Sequence, residues 1–422
     1  MTTETSGPLS TILHRSARPV VFLFFQIPYG LFSGYLTITL AYLFSRSGIS
    51  IAQIAGLAAI NIIPQILKFL WAPLVDTTLS LKKWYFISAM LTAVCIFITG
   101  VVPLKEANLP IFTFMIFLSS FARSFVSAAL NGLAAHDTPE ELKGRVAGYG
   151  QAGALGGSAI GGGIGLWLAE HTHYQWIPGS VLACICVLCC FGLLFVKEPP
   201  STIKVDTVKK TVNNLVKDIW LTIKTKRGVL ALLLCIIPLG SGASGYLFAA
   251  ISADWGASAA IVAIVTGIVA GVITIAGSLA GGWICDKVNR QQSYLVFGLL
   301  QAICCLGLAF CPHTPVMYIL WTLAYTFANG LSYAAWNAFA LEATGRGAAA
   351  SKFELFASVS WLPIYTMTAV AGFAYTKWKA NGMLMTEAAC AILAAVLFLA
   401  IQKIIKSRKV TPQNAETVFI NS

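Results

Sequence analysis

The sequence predicts an all-α membrane protein of twelve transmembrane helices in two pseudo-symmetric six-helix bundles. Three observations predict it. Of 422 residues, 57% are hydrophobic and only 10% charged, with a mean hydropathy of +0.78, against about 25% charged in soluble domains. Apolar windows long enough to cross a hydrocarbon core about 30 Å thick recur along the whole chain. One membrane-exit signal occurs twice, at Asp76 and Asp286, where an apolar run ends in a carboxylate followed within a few residues by cations. Internal duplication of this kind builds many helical membrane bundles.

The spans follow in order, each helical because lipid cannot satisfy irregular backbone. Span 19–45 is too long for a cleavable signal core, and it carries Gln26, Tyr29, Ser33 and Thr37 at helical intervals on one face. Span 51–73 holds Lys68 about two turns from its end and closes on Pro73 and Asp76, with Lys82 and Lys83 beyond. Spans 84–103 and 110–135 follow; the latter carries Arg123, Ser127 and Asn131 at i, i+4 and i+8. Span 146–170 has Gly153, Gly157, Gly161 and Gly165 in overlapping Gly-x-x-x-Gly steps, which permit close helix contact. Span 177–196 clusters Cys184, Cys186, Cys189 and Cys190 with no His or carboxylate on that helix, so they read as small packing residues and no metal or cofactor is expected.

A Lys-rich loop, 197–227, divides the spans six and six and is expected to lie on the anionic inner leaflet. Span 228–252 offers Ser241 and Ser244; span 259–283 leads to Asp286, Lys287 and Arg290; span 294–311 follows. Span 316–342 carries Asn329, Tyr333 and Asn337, with Trp321, Tyr325 and Trp336. Span 353–376 carries Glu354, Trp361 and Tyr365, and span 383–403 carries Glu387. The expected organisation is therefore a bundle at 1–196, the loop at 197–227, a second bundle at 228–404 and a tail at 405–422.

The charges set the orientation. Of 28 Lys and Arg, 22 fall at ends sharing a side with the termini; only Arg46, Lys105, Lys377 and Lys379 fall at the opposite ends, and Lys68 and Arg123 lie within spans. The positive-inside rule puts both termini in the cytoplasm. The +12 net charge is thus a topology signal; no loop is long enough for a nucleic-acid-binding domain.

A second repeat lies inside the membrane. Residues 127–134 (Ser-Ala-Ala-Leu-Asn-Gly-Leu-Ala) and 333–340 (Tyr-Ala-Ala-Trp-Asn-Ala-Phe-Ala) match at four of eight positions with an offset of 206. At the same offset Arg123, Ser127 and Asn131 correspond to Asn329, Tyr333 and Asn337. Polar stripes on intramembrane helices face protein or water: they line a solute cavity or bond helix to helix. An intramembrane Arg costs about 2.5–3.5 kcal/mol on the insertion scale and needs a counter-ion. For Arg123 that is a carboxylate of the protein or an anionic group of a solute. Lys68 either snorkels to the near interface or serves the site.

Six plus six spans, a central basic loop and the repeated exit signal resemble the major facilitator superfamily over essentially the whole chain. Gly282, Asp286, Lys287 and Arg290 fit its Gly-x-x-x-Asp-(Arg/Lys)-x-x-Arg motif in register; the copy at Asp76 has its cations two residues late and Pro73 near the glycine position. The resemblance implies a central cavity lined by helices 1, 4, 7 and 10. It also implies a latch in which each Asp meets a neighbouring helix N-terminus and cations. Gly153, Gly157, Ser158, Gly161 and Gly162 are similar to the superfamily's antiporter motif, with Ser158 in place of its proline. Residues 67–76 resemble the helix-2 end of the peptide/acetyl-coenzyme A/drug transporter family, which includes AmpG-type muropeptide permeases and siderophore importers. Pro139, Glu140, Glu141, Gly144 and Arg145 resemble its 4–5 region. Ser127 and Asn131 stand where that family's helix 4 has carboxylates.

These readings imply a monomeric secondary transporter of the bacterial inner membrane. It would import a mid-sized anionic or amphiphilic solute, a muropeptide-like cell-wall fragment or a siderophore, with protons as coupling ion. The expected substrate-binding residues are Arg123, Ser127, Asn131, Asn329, Tyr333, Asn337, Gln26, Tyr29 and Ser33. Gating is expected at Asp76, Lys82, Lys83, Asp286, Lys287, Arg290 and Lys68. The proton carrier is sought among Glu342, Glu354 and Glu387, with Glu342 favoured. A drug or metabolite efflux antiporter is the alternative. A membrane enzyme or receptor is the reading from another class, resting on His136, Asp137, His171 and His173, which lack a second catalytic partner in the sequence.

Overall fold

The computed structural model describes residues 19–49, 51–172, 174–196, 217, 219–221, 224–258, 261, 262, 264–345 and 349–407, and all secondary structure among them is helical. The loop expected at 197–227 and the tail at 405–422 lie largely outside the described residues, as does His173. Among the described residues twelve helical segments follow one another: α1 (21–46), α2 (51–77), α3 (Leu81–Val101), α4 (Leu109–Asp137), α5 (143–171), α6 (Trp176–Cys190), α7 (226–255), α8 (264–287), α9 (Arg290–Phe310), α10 (Pro315–Thr344), α11 (349–378) and α12 (380–407). Eight stretches are individually long and apolar enough to cross a bilayer, and one of them, Ala349–Ile404, is long enough to do so twice. It bends at Lys379, whose φ of 59° takes the chain out of helical geometry between α11 and α12.

Several starts carry the side-chain caps their sequence supplies. Ser80 accepts the Lys83 amide before α3, Asn289 the Gln292 amide before α9, and Thr314 the Met317 amide before α10.

Three interruptions shape the interior. In α2 the chain leaves α-helical geometry at Leu67, makes a 3-10 turn at Lys68–Leu70 and resumes at Ala72. Pro73 is the cause: its ring clashes with the carbonyl four residues back and it has no N–H to give. The break turns Lys68 inward, where it is 4% exposed. This corrects the snorkelling alternative. In α7 the chain is unwound between Ile236 and Ala243, where Gly240 and Gly242 have φ of 64° and 70°. An added Cβ at Gly242 would also stand 2.8 Å from Asn329 Oδ1. The third is a pair of facing π-helical turns, Tyr35–Leu40 in α1 and Ile160–Ile164 in α5, joined where Thr39 Oγ1 donates to the carbonyls of Gly161 and Gly162 at 2.9 and 3.1 Å.

Each bundle is welded by bare backbone. Added Cβ atoms at Gly30, Gly34, Gly153, Gly157 and Gly161 would fall inside the carbonyls of the facing helix across the α1–α5 seam; Gly277 and Gly330 do the same between α8 and α10. Within the first bundle α1 packs on α5, α3 on α4 and α6, and α2 on α4; within the second, α10 packs on α8 and α9, and α7 and α9 pack on the α11–α12 pair. The bundles meet through α5 with α8 and α10, and through α4 and the end of α2 with α11.

Candidate functional site

Polar side chains of the first bundle converge on one carboxylate of the second. Glu354, near the start of α11, is fully buried. Its Oε2 lies 2.5 Å from Lys68 Nζ, and its Oε1 accepts from Ser127 Oγ at 2.7 Å and from Asn131 Nδ2 at 3.3 Å. Helical spacing puts Ser127 and Asn131 one turn apart on α4, and the Pro73 break delivers Lys68 from α2. One carboxylate of α11 thus holds two helices of the other bundle.

One turn before Ser127 stands Arg123, the fifteenth of the 29 residues of α4 and 3% exposed. Its Nη1 lies 3.5 Å from Asn61 Oδ1, and its guanidinium sits 4.6 Å from the ring centre of Tyr29 and 5.7 Å from that of Phe32. Its Nε has no partner, and among the described residues it forms no ion pair. Lys68 feels the charges of both Glu354 and Arg123. The buried cluster therefore holds two cations and one carboxylate. Tyr29 donates to Gln65 Oε1 at 3.2 Å, and Gln65 Nε2 in turn to the Ser120 carbonyl at 2.8 Å, fixing the floor beneath the guanidinium.

The remaining expected binding residues lie on α1 and α10. Gln26 and Asn131 line a cavity of about 30 Å³, shared with Gln151 and Asn337, room for about one water molecule. Asn337 Nδ2 donates to Gln151 Oε1 at 3.4 Å and to the Tyr333 carbonyl at 2.9 Å. Ser33 and Tyr333 are half-buried. Asn329 Oδ1 accepts from Gln301 Nε2 at 3.3 Å, and the same nitrogen reaches Ser332 Oγ at 3.1 Å.

The three carboxylates sought as proton carriers occupy different settings. Glu342, favoured from sequence, stands at the basic end of α10, its side chain 30% exposed and paired with Arg290 Nη1 at 3.1 Å. That is the setting of a helix-end carboxylate held by a cation. Glu387 is buried beside the α7 break, where its two oxygens accept the Ser244 amide at 2.6 Å and the Tyr325 hydroxyl at 2.7 Å. Among the described residues no cation pairs with it. Glu354 alone of the three joins the two bundles.

At the basic end the bundles cross-cap one another. Asp76 of the first bundle accepts the amides of Ala350 and Ser351, at 3.3 and 2.8 Å, and the Ser351 hydroxyl at 2.6 Å, at the N-terminus of α11. Asp286 of the second accepts the Arg145 amide at 3.1 Å and pairs with Arg145 Nε at 3.0 Å, at the N-terminus of α5. Helix N-termini attract anions. Arg290 adds Glu140 and its carbonyl, and Lys143 pairs with Glu140 at 2.7 Å. Beneath them Gly144 and Gly148 meet Gly282 and Ser278 backbone to backbone. Lys287 instead lies 3.5 Å over the Trp283 ring, and Lys82 and Lys83 stand in the first turn of α3. Asp286→Asn is expected to impair transport much more than solute binding, because it weakens one access state rather than the site. Equal loss of uptake and equilibrium binding would contradict a latch.

Asn61, Gln65, Gln151, Gln301 and Ser351 escaped sequence reasoning. Asn61, Gln65 and Lys68 were nonetheless detectable: at i, i+4 and i+7 they form a polar stripe on α2 like that on α4.

The sequence model of the Major Facilitator Superfamily matches residues 21–364. The chain is 22% identical over 363 residues to the anhydromuropeptide permease of Escherichia coli K12, covering 82% of this chain and 72% of that one. It is 24% identical over 357 residues to the putative transporter AmpG 4 of Rickettsia felis, covering 79% and 84%. Among solved structures, a variant of the E. coli fucose:proton symporter FucP superposes with a TM-score of 0.71 at 16% identity, over 91% of this chain and 97% of that one.

Proposed function

The chain belongs to the major facilitator superfamily of membrane transporters, and from that premise we propose that it imports a mid-sized anionic or amphiphilic solute, of the cell-wall-fragment class, together with protons. It works as a monomer in the bacterial cytoplasmic membrane, with both termini inside. By the positive-inside rule the basic end is cytoplasmic. The cross-capped state is then closed to the cytoplasm, and the bundles rock to open that end.

The observation that carries this reading is the imbalance of two buried cations, Lys68 and Arg123, against one carboxylate, Glu354. An uncompensated cation inside a membrane is costly, and an anionic solute group compensates it. Arg123 offers the free Nε and lies beside the Tyr29 ring. The likeness to an anhydromuropeptide permease supports a peptide- and sugar-bearing acid as solute.

The test compares an anhydromuropeptide with its fully amidated form. Arg123→Ala is expected to weaken binding of the acid by roughly tenfold to a hundredfold, the worth of one charge-assisted contact of about 1.5–3 kcal/mol, and of the amide much less. Arg123→Lys recovers part, since the charge survives and the planar fork does not. If both ligands weaken alike while the protein stays folded, Arg123 is structural and the anionic-solute reading falls.

A further inference from the structure

We propose that Glu387, with the unwound stretch of α7, forms a binding site for one small monovalent cation, sodium, inside the second bundle. This site is separate from the Arg123 cluster, and its occupation does not depend on what the solute is.

Charge points to it first. Among the described residues, the buried cations of the second bundle, Arg290 and Lys352, stand in the first turns of α9 and α11, at the basic end. Glu387 is the eighth residue of α12, which starts at the opposite end, and it is 3% exposed. The titratable groups facing it are Tyr325 of α10, Cys305 of α9 and Cys390 on its own helix. A tyrosine or a cysteine is neutral or anionic, so none of them can supply a positive charge. Both hydrogen bonds at the carboxylate are donated to it, by the Ser244 amide and the Tyr325 hydroxyl, and donors favour the ionised form. An ionised carboxylate without a cation is costly in a bilayer interior.

The surroundings supply oxygen. The half-helix Lys226–Ile236 of α7 stops within the span, so its last carbonyls, which have no partner inside the helix, and the negative end of its dipole meet the break. Two side-chain oxygens at the break are buried without a hydrogen-bond partner: Ser241 Oγ, three residues before Ser244, and Gln301 Oε1. Gln301 stands one turn from Cys305 on α9, whose Sγ reaches Ser244 Oγ at 4.0 Å. Its amide nitrogen is committed to Asn329 and Ser332, which leaves its oxygen for another partner. Discontinuous membrane helices hold sodium through unwound carbonyls and half-helix C-terminal ends. One carboxylate balances one positive charge, so the ion is monovalent. Among the described residues no three His, Cys, Asp or Glu side chains gather as a transition metal would need. Gly240 and Gly242 bring the backbone close against Tyr294 and Asn329, a tight fit that favours sodium over the larger potassium. The bound ion ties α7 to α12 and holds the break against Asn329, one of the residues expected to meet the solute.

The test is equilibrium binding of radioactive sodium to the full chain in lipid nanodiscs, in a constant excess of choline chloride and with no solute present. The native chain should bind saturably, one ion per chain, and unlabelled sodium should displace the label at concentrations at which potassium does not. Glu387→Gln keeps the shape and an oxygen but not the charge, and should lose affinity by roughly tenfold or more, the worth of one charge-assisted contact. Glu170→Gln, which removes an exposed carboxylate at the far end of α5, should bind as the native chain does. Glu387→Asp, a methylene shorter, should bind more weakly than the native chain, and serves if the Gln variant does not fold. No saturable binding to the folded native chain, equal displacement by potassium, an equal loss in Glu170→Gln, or native affinity in Glu387→Gln (in Glu387→Asp, if that variant alone folds) overturns the site. Any of these results leaves the Arg123 experiment standing, because that one reads the acid group of the solute.

Discussion

Lys68→Met is expected to abolish transport and lower the thermal midpoint sharply, and Glu354→Gln in the same chain to restore the midpoint but not the transport. Both side chains are almost wholly buried, and their charged atoms lie 2.5 Å apart. Removing one partner leaves a charge in a low-dielectric interior, a loss of about 3–5 kcal/mol; removing both charges is often neutral. The Gln retains the bonds from Ser127 and Asn131, so the α4 contact survives in the double variant. On the anionic-solute proposal, transport stays lost because the solute's acid group lacks one of the two buried cations. Thermal unfolding of the four chains in detergent, read as a double-mutant cycle, checks it. Additive losses would mean that the pair carries no coupling and that Lys68 is held by something else.

Gly157→Ala should destabilise the protein severely, while the same change one residue earlier, Gly156→Ala, should stabilise it. An added Cβ at Gly157 falls on the Ile27 carbonyl of α1, whereas nothing lies within 4 Å of one at Gly156. At the open position the methyl group only removes the entropy penalty of a helical Gly, a gain of about 0.5–1 kcal/mol. At the closed position two backbones must part along a seam that five glycines make continuous, so the cost should exceed the usual 1–3 kcal/mol of an overpacked core. The opposite signs of the two midpoint shifts are the measurement. A stable Gly157→Ala protein would show that α1 and α5 are not locked together.

The architecture was legible because lipid admits so few alternatives: an apolar run of span length must be a helix, and duplicated exit signals give the two bundles. Asp76 and Asp286 could be singled out by position alone, since the duplication marks them in both halves. The breaks were harder. Span 228–252 reads as continuous when hydropathy is averaged, yet Pro238, Gly240 and Gly242 within five residues already mark where α7 unwinds. Lys68 looked close enough to the helix end to snorkel; the Pro73 break that turns it inward is local, but its partner lies 286 residues away, and no periodicity carries that. Glu342 follows Asn337 by five residues in the sequence, but its ion pair with Arg290 comes from α9 and the 4–5 connection folding onto the same end. Ser127 and Asn131 stand where the resembling family has carboxylates on helix 4, and Glu354 supplies a carboxylate to them from the other bundle.

The fifth helix has glycines on two sides, and the sides have different duties. Gly153, Gly157 and Gly161 face α1 in a contact internal to one bundle; Gly144 and Gly148 face α8 in a contact between bundles, with added Cβ atoms 2.5–2.6 Å from the Gly282 and Ser278 carbonyls. A larger residue on the first side harms the folded molecule itself, and no amount of solute rescues it. A larger residue on the second side is expected to disfavour only the cross-capped form, leaving a stable protein that fails in uptake. Random mutagenesis with separate selections for abundance and for uptake should therefore split this one helix lengthwise: intolerant in both selections along one edge, and intolerant in uptake alone along the other.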